Sequence, residues 1–319
     1  MECCHPTLLF LALLVASPLQ AWGPLGHSAI AVIAQKHLSV AAQSHVAALL
    51  AQGHDTDLAS VANWADEVRA AAANRGPLKS DPEAALFNAK FPTNALWHFV
   101  DLPLGAEDYR EVASFTSFND IIHVIKRCLT VLERAESRED DFTRPQALRL
   151  LVHLVGDIHQ PLHCGTGFYD LADLKHPVLI RDPRLCSGKP NDRGGNDLFF
   201  GSEPNQELHA LWDESLVLAI RNSTDYRSLA DWLDATQSVN PTPGDYHDWP
   251  EQWAIDSVRQ ARRVYQDLQF GEATIDGQRL RITIQLPSNY IDENRSLAAT
   301  QLVKAGMRLA QLLNSLAWP

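Results

Sequence analysis

The segment His153-Leu-Val-Gly-Asp157-Ile-His159-Gln-Pro161-Leu-His163 constrains this chain more than any other. A His and an Asp four residues apart place imidazole and carboxylate on one helical face, one turn apart. Pro161 interrupts that helix, so His163 comes from the turn beyond it and approaches from another direction. A second pair with the same spacing, His209 and Asp213, lies in Leu208-His209-Ala-Leu-Trp-Asp213. An ordinary surface salt bridge accounts for either pair alone. Two pairs, with a further imidazole after a helix breaker, point instead to nitrogen and carboxylate oxygen gathered around a borderline cation such as zinc. The fold then has to bring two helices and a turn to one place.

Most of the remaining pattern is helical. Apolar positions recur at helical spacing over about 27–50, 56–74, 115–137, 145–160, 205–221, 226–237, 248–270 and 288–316. Pro and Gly mark loops at 76–96, 101–110, 164–197 and 239–248. In the longest of these, Arg193-Gly194-Gly195-Asn196-Asp197 lets backbone come close to a ligand. Leu280-Arg-Ile282-Thr-Ile284-Gln-Leu286 alternates after the turn pair Asp276-Gly277 and predicts a short β-hairpin. No internal repeat, low-complexity tract or composition break marks a linker. The pattern predicts one mainly α domain with a small β-hairpin.

Thr7 to Pro18 has the length of a signal-peptide apolar core and is too short to span a bilayer. Leu19-Gln-Ala21 offers a small residue before a cleavage point, so residues 1–21 are expected to be a signal peptide and 22–319 the mature domain. The leading Met-Glu-Cys-Cys-His is atypical in having no Lys or Arg. No Cys follows the cleavage point, which argues against a lipid anchor. No later apolar run is long enough to cross a membrane. The mature protein is expected to be secreted or periplasmic, without stable membrane association. Cys164 and Cys186 flank a loop-like stretch and can pair in an oxidising compartment. Cys128, on the helical stripe of Ile121, Ile125 and Leu132, reads as a buried free thiol.

With 27 Lys and Arg against 39 Asp and Glu, the formal net charge is −12. Such a chain does not hold polyanions through a general basic surface. A phosphate substrate needs local positive charge, and bound metal is its obvious source. Other donors are at hand. His27 lies just after the new N-terminus, in Trp22-Gly-Pro-Leu-Gly-His27. Cleavage before Trp22 would free an α-amine, of pKa roughly 7.7–8.0, as a nitrogen donor. Asp66 sits about one turn from Arg69, and His98 stands in Leu96-Trp-His98-Phe99-Val-Asp101. Each alone reads as a helix-surface acid, a packed His or a cap; together they form a set.

That set resembles the secreted single-strand-specific zinc nucleases of plants, fungi and bacteria, the S-one/P-one type. Their mainly helical superfamily also contains zinc phospholipase C. The resemblance rests on Trp22-Gly-x-x-Gly-His27, Trp64-Ala-Asp66, His98-Phe99-Val-Asp101, the segment from His153 to His163, Gly194-Gly195-Asn196, and Leu208-His209-x2-Trp-Asp213, in family order. The cysteine pattern and the uncharged leader depart from it. The resemblance implies three zinc ions. Asp66, His98, His153 and Asp157 would hold one. The Trp22 amine and carbonyl, His27 and a shared Asp157 would hold another. His163, His209 and Asp213 would hold the third. It further implies that Asp66, Arg69 and Asp157 serve catalysis, and that Phe99 stacks on a base. Asp101 would accept from the edge of that base, and Asn196 would help hold it.

The implied activity is endonucleolytic hydrolysis of single-stranded DNA and RNA to 5′-phosphorylated products, with cleavage of 3′-nucleotides at the same site. Metal-activated hydroxide would attack phosphorus. Two alternatives stand beside it. A zinc phospholipase C uses similar ligands on lipid headgroup phosphodiesters but does not require the base-reading set Phe99, Asp101 and Asn196. A non-enzymatic zinc protein would have closed sites.

Overall fold

The computed structural model describes residues 22–202, 206–277 and 279–319, so the expected signal segment 1–21 lies outside the described residues. Helices dominate: α1 (Gly23–Lys36), α2 (Val40–Gln52), α3 (Leu58–Val61), α4 (Trp64–Ala72), α5 (Pro82–Lys90), α6 (Ile121–Leu132), α7 (Arg144–Ile158), α8 (Leu208–Ala210), α9 (Leu216–Arg221), α10 (Tyr226–Thr236), α11 (Trp249–Val264) and α12 (Tyr290–Ser315). Strand β1 (Leu102–Pro103) runs parallel to β2 (Gly165–Thr166), and β3 (Phe168–Asp170) antiparallel to β4 (Val178–Ile180). In the remaining sheet, β7 (Arg279–Gln285) lies between β5 (Leu198–Phe199), which is parallel to it, and β6 (Gln269–Asp276), which is antiparallel. The architecture is mainly α, as expected.

Helix α7 is the axis of the core. Thr143 accepts from Gln146 N while the Gln146 side chain accepts from Thr143 N, a closed capping box. Every residue from Ala147 to Ile158 is buried, so the helix is enclosed by neighbours on all sides. Those neighbours include α1, α2, α4, α6 and α12. Its one buried guanidinium, Arg149, is fully engaged, donating to Asp55, Glu83 and the Gly53 carbonyl.

The expected helix over 27–50 breaks at His37–Ser39, where Ser39 Oγ accepts from Ala42 N and starts α2 afresh. A break at Ala62–Asn63 likewise divides 56–74. Helix α5 forms inside the expected loop 76–96, because Asp81 caps it and Pro82 sets its first turn. Strand β6 takes over Gln269 and Phe270, which were expected at the end of a helix. The hairpin is present, with Asp276 opposite Arg279 and Gly277 at φ +61°. It anchors the loop that carries Asn196: Ile282 N donates to Asp197 O at 2.8 Å.

Cys128 is a buried free thiol, as expected. The pairing of Cys164 with Cys186 does not form. Both are free and buried, and their sulfurs face different carbonyls, of Ile158 and Asp182. No helix among the described residues is long and apolar enough to cross a membrane.

Candidate metal centre

Helix α7 presents His153 and Asp157 on one face, and five other segments deliver the remaining ligand candidates to it. Three clusters result: His27, Asp66 and His153; His98, His153 and Asp157; and His163, His209 and Asp213. Within each, the donor atoms lie inside 4.8 Å of one another, and all of these residues are buried. Asp157 is central. Its Oδ1 is 3.2 Å from His27 Nε2, while its Oδ2 is 2.9 Å from His98 Nδ1 and 3.3 Å from His153 Nε2. Asp66 Oδ1 stands 3.7 Å from both His98 Nδ1 and His153 Nε2, and it accepts from Arg69 at 2.6 Å.

Local structure explains these approaches. The His27 and His153 rings stack with centroids 4.0 Å apart. A Cβ on Gly156 would lie 2.7 Å from His27 Nδ1, so only glycine leaves room for that ring. The Gly156 carbonyl accepts from the indole of fully buried Trp22 at 3.0 Å, which fixes the residue that precedes α1 against the part of α7 that makes room for His27. Pairing around β1 and β2 ties His98 to His163: Val100 N donates to His163 O, and His163 Nδ1 to His98 O at 2.6 Å. In the second His–Asp pair, Leu211–Ser215 is a π-helix. His209 Nε2 still reaches within 3.2 Å of Asp213 Oδ2.

The donor set fits cations. His153, His163 and His209 each direct Nδ1 at a backbone carbonyl, of Ala62, His98 and Gly194, at 2.6–2.7 Å. A ring nitrogen bonded to a carbonyl carries the proton, so in the neutral ring each Nε2 presents a lone pair. His163 Nε2 and His209 Nε2 face one another at 3.1 Å. His27 Nε2, His153 Nε2, Asp157 Oδ1 and Asp213 Oδ2 are buried without a hydrogen bond. Lone pairs and carboxylate oxygens turned on one another in the interior would be satisfied by bound cations.

Without ions the same groups share protons unevenly. Burial lowers His27 and His163, and burial with the Arg69 charge holds His98 at about 4. Burial also opposes the charged form of His153, but the carboxylates of Asp157 and Asp66 outweigh it and raise that group to about 9. Cation binding therefore has to displace a proton from His153.

Beside the centre lie the residues expected to meet substrate. Phe99 is half-buried and stands outside the hydrophobic core. Asp101 accepts from Thr166 at 2.8 Å, and burial raises its carboxyl. Asn196 Nδ2 donates to Arg193 O at 2.6 Å and stands 3.2 Å from His209 Nδ1, while its Oδ1 is buried without a hydrogen bond. Gly194 holds this loop at φ +61°, where a Cβ would meet Leu162 O at 2.0 Å.

Two supporting residues escape a reading of spacing alone. Gln160, inside the His153–His163 segment, donates to Asp213 Oδ1. Fully buried Asp192 accepts from Tyr169, Tyr265, Gly167 N and Gly195 N, and so fixes the loop whose Gly194 carbonyl orients His209. The partners of both are distant in sequence, so spacing carries no signal of them.

Comparison with known proteins accords with this geometry. The family model described as S1/P1 Nuclease matches residues 22–317. The chain belongs to the S1/P1 nuclease family. Nuclease P1 of Penicillium citrinum is 26% identical over 308 residues, covering 92% of this chain and 97% of that protein. Endonuclease 2 of Arabidopsis thaliana is 24% identical over 310 residues, covering 95% and 93%. Nuclease S1 of Aspergillus oryzae is 24% identical over 322 residues, covering 93% and 92%. The protein is thus a phosphodiester hydrolase of nucleic acids, and its three His/Asp clusters are candidate metal sites.

Proposed function

We propose that this S1/P1 nuclease is an exported, zinc-dependent endonuclease cleaving single-stranded DNA and RNA to 5′-phosphorylated products, and hydrolysing 3′-nucleotides at the same centre. Its domain would comprise residues 22–319 after loss of the leader. Three zinc ions would be held by Asp66, His98, His153 and Asp157; by the Trp22 amine and carbonyl, His27 and Asp157; and by His163, His209 and Asp213. The observation that carries the reading is Asp157, whose two oxygens serve different histidines, His27 on one side and His98 with His153 on the other.

When bound, zinc supplies a water nucleophile near neutral pH and neutralises charge on the phosphate oxygens. The chain supplies the rest. Arg69, steadied by its ion pair with Asp66, adds a cation to the transition state. Phe99 stacks on the base next to the scissile bond, Asp101 accepts from its edge, and Asn196 offers its free Oδ1 as a further acceptor. Stacking favours a base already free of a partner, hence a single strand. The P–O3′ bond breaks, leaving a 3′-hydroxyl on one product and a 5′-phosphate on the other.

The test uses exported protein whose N-terminus has been sequenced. Metal analysis should give three zinc ions per chain, with the chain starting at Trp22. End-group analysis should find 5′-phosphates from single-stranded DNA and RNA, with duplex cut far more slowly. Predominant 3′-phosphate ends, or faster release of phosphorylcholine from phosphatidylcholine, would overturn the substrate reading.

A further inference from the structure

Next to the metal centre lies an open groove of about 480 Å³, within the size range of small-ligand sites. It shares Trp22 and Asp213 with that centre, and its other walls include Leu25, Val217, Leu218 and Tyr226. Asp213 is 2% exposed and its Oδ2 makes no hydrogen bond. Leu218 is 42% exposed, apolar surface turned to solvent beside a polar centre. Glu214 also lines the groove. Its carboxylate repels anions, so the groove suits an uncharged, flat, largely apolar group rather than a second phosphate.

A phosphodiester carries a nucleoside on each side of phosphorus. On the reading above, on which this inference rests, Phe99, Asp101 and Asn196 take the nucleoside that leaves through O3′. Those residues adjoin His98 and His209, whereas the groove adjoins Trp22 and Asp213. We infer that the groove is the subsite for the other nucleoside, the one that keeps the 5′-phosphate. Its base packs on Leu218, Val217 and Tyr226 while its phosphate remains at the metal centre. A 3′-mononucleotide lacks that nucleoside and leaves the groove empty, so the two substrate classes differ in their dependence on it.

Leu218→Glu tests the assignment at a solvent-facing position, with zinc content and thermal unfolding checking that the variant is intact. In the zinc-loaded protein it should raise KM for a dinucleoside monophosphate about tenfold, the loss of one stacked base. Calorimetric affinity for a 5′-mononucleotide should fall by a similar factor, while kinetics on a 3′-mononucleotide stay at the wild-type values. Leu218→Phe, which enlarges the apolar wall, should keep or improve dinucleotide KM. Equal shifts for both substrate classes, or no shift for either, overturn the groove as a subsite. If wild-type protein does not hydrolyse 3′-mononucleotides, the substrate reading above fails instead. The 5′-mononucleotide titration then decides the groove by itself, unchanged affinity in Leu218→Glu overturning it.

Discussion

Gln160 donates its side-chain amide to Asp213 Oδ1 at 2.7 Å in the interior of the protein. The orientation of that amide is not free, because its Oε1 accepts from Leu162 N at 2.6 Å. Asp213 is left with one oxygen, Oδ2, directed at His209. Gln160→Glu retains an acceptor for Leu162 N but turns a carboxylate on a carboxylate. Loss of such a supporting hydrogen bond typically weakens a metal site by about 10–100-fold. Competitive chelator titration should find one of the bound ions loosened by that factor and the others retained. Uniform weakening of all ions would reduce Gln160 to a general structural role.

Asp157 occupies a different position, with His27 on one oxygen and His98 with His153 on the other. Asp157→Asn removes the charge from both clusters while preserving shape. Turnover on single-stranded DNA should fall by several orders of magnitude, and zinc content should drop by more than one ion per chain. Near-wild-type turnover with full zinc would remove Asp157 from its proposed bridging role.

The long helices and the hairpin were legible because burial imposes period on sequence over many residues. The breaks at His37–Ser39 and Ala62–Asn63 were not, since apolar residues such as Leu38 and Ala62 continue the pattern through them. Helix α5 hid behind flanking Pro82 and Pro92, although Asp81-Pro82 is a start signal. The candidate ligands were more legible than the fold's details, since the spacing that suggests them also brings them into three buried clusters. His–Asp spacing and the helix-breaking Pro161 identify ligand chemistry locally. What holds those ligands was not visible, because the partners of Gln160 and Asp192 are distant in sequence and set by packing. The expected Cys164–Cys186 bridge shows the converse. Flanking one loop does not bring two sulfurs together, and these face separate carbonyls.

Asp192 carries a pH signature. Burial raises its carboxyl from 3.8 to about 6, although four groups donate to it. Because the folded pKa is the higher one, its contribution favours the folded state fully below pH 3.8 and is lost as pH rises through about 6. Over that window the wild type should lose about 3 kcal/mol relative to Asp192→Asn, and the difference should stay flat above it. Urea unfolding of chelated protein at a series of pH values reads this directly, free of metal loss. A pH-independent difference would show that Asp192 is not buried with a raised pKa.

Trp22 is fully buried, and its indole donates to the carbonyl of Gly156, the residue that makes room for the His27 ring. Its backbone is thereby pinned next to His27. A peptide-bonded nitrogen at this position lacks a lone pair for a metal, whereas a free α-amine, of pKa roughly 7.7–8.0, readily gives one. Protein made in the cytosol with Met preceding Trp22 would carry its amine one residue away from the pinned position. It should fold, since the indole anchor is unchanged, but hold one zinc ion less tightly and lose most of its nuclease activity. Exported protein starting at Trp22 and the Met-extended form need to be compared after reconstitution with excess zinc. Equal stoichiometry and equal turnover in the two would exclude the α-amine as a ligand, leaving His27 and Asp157 to hold that ion without it.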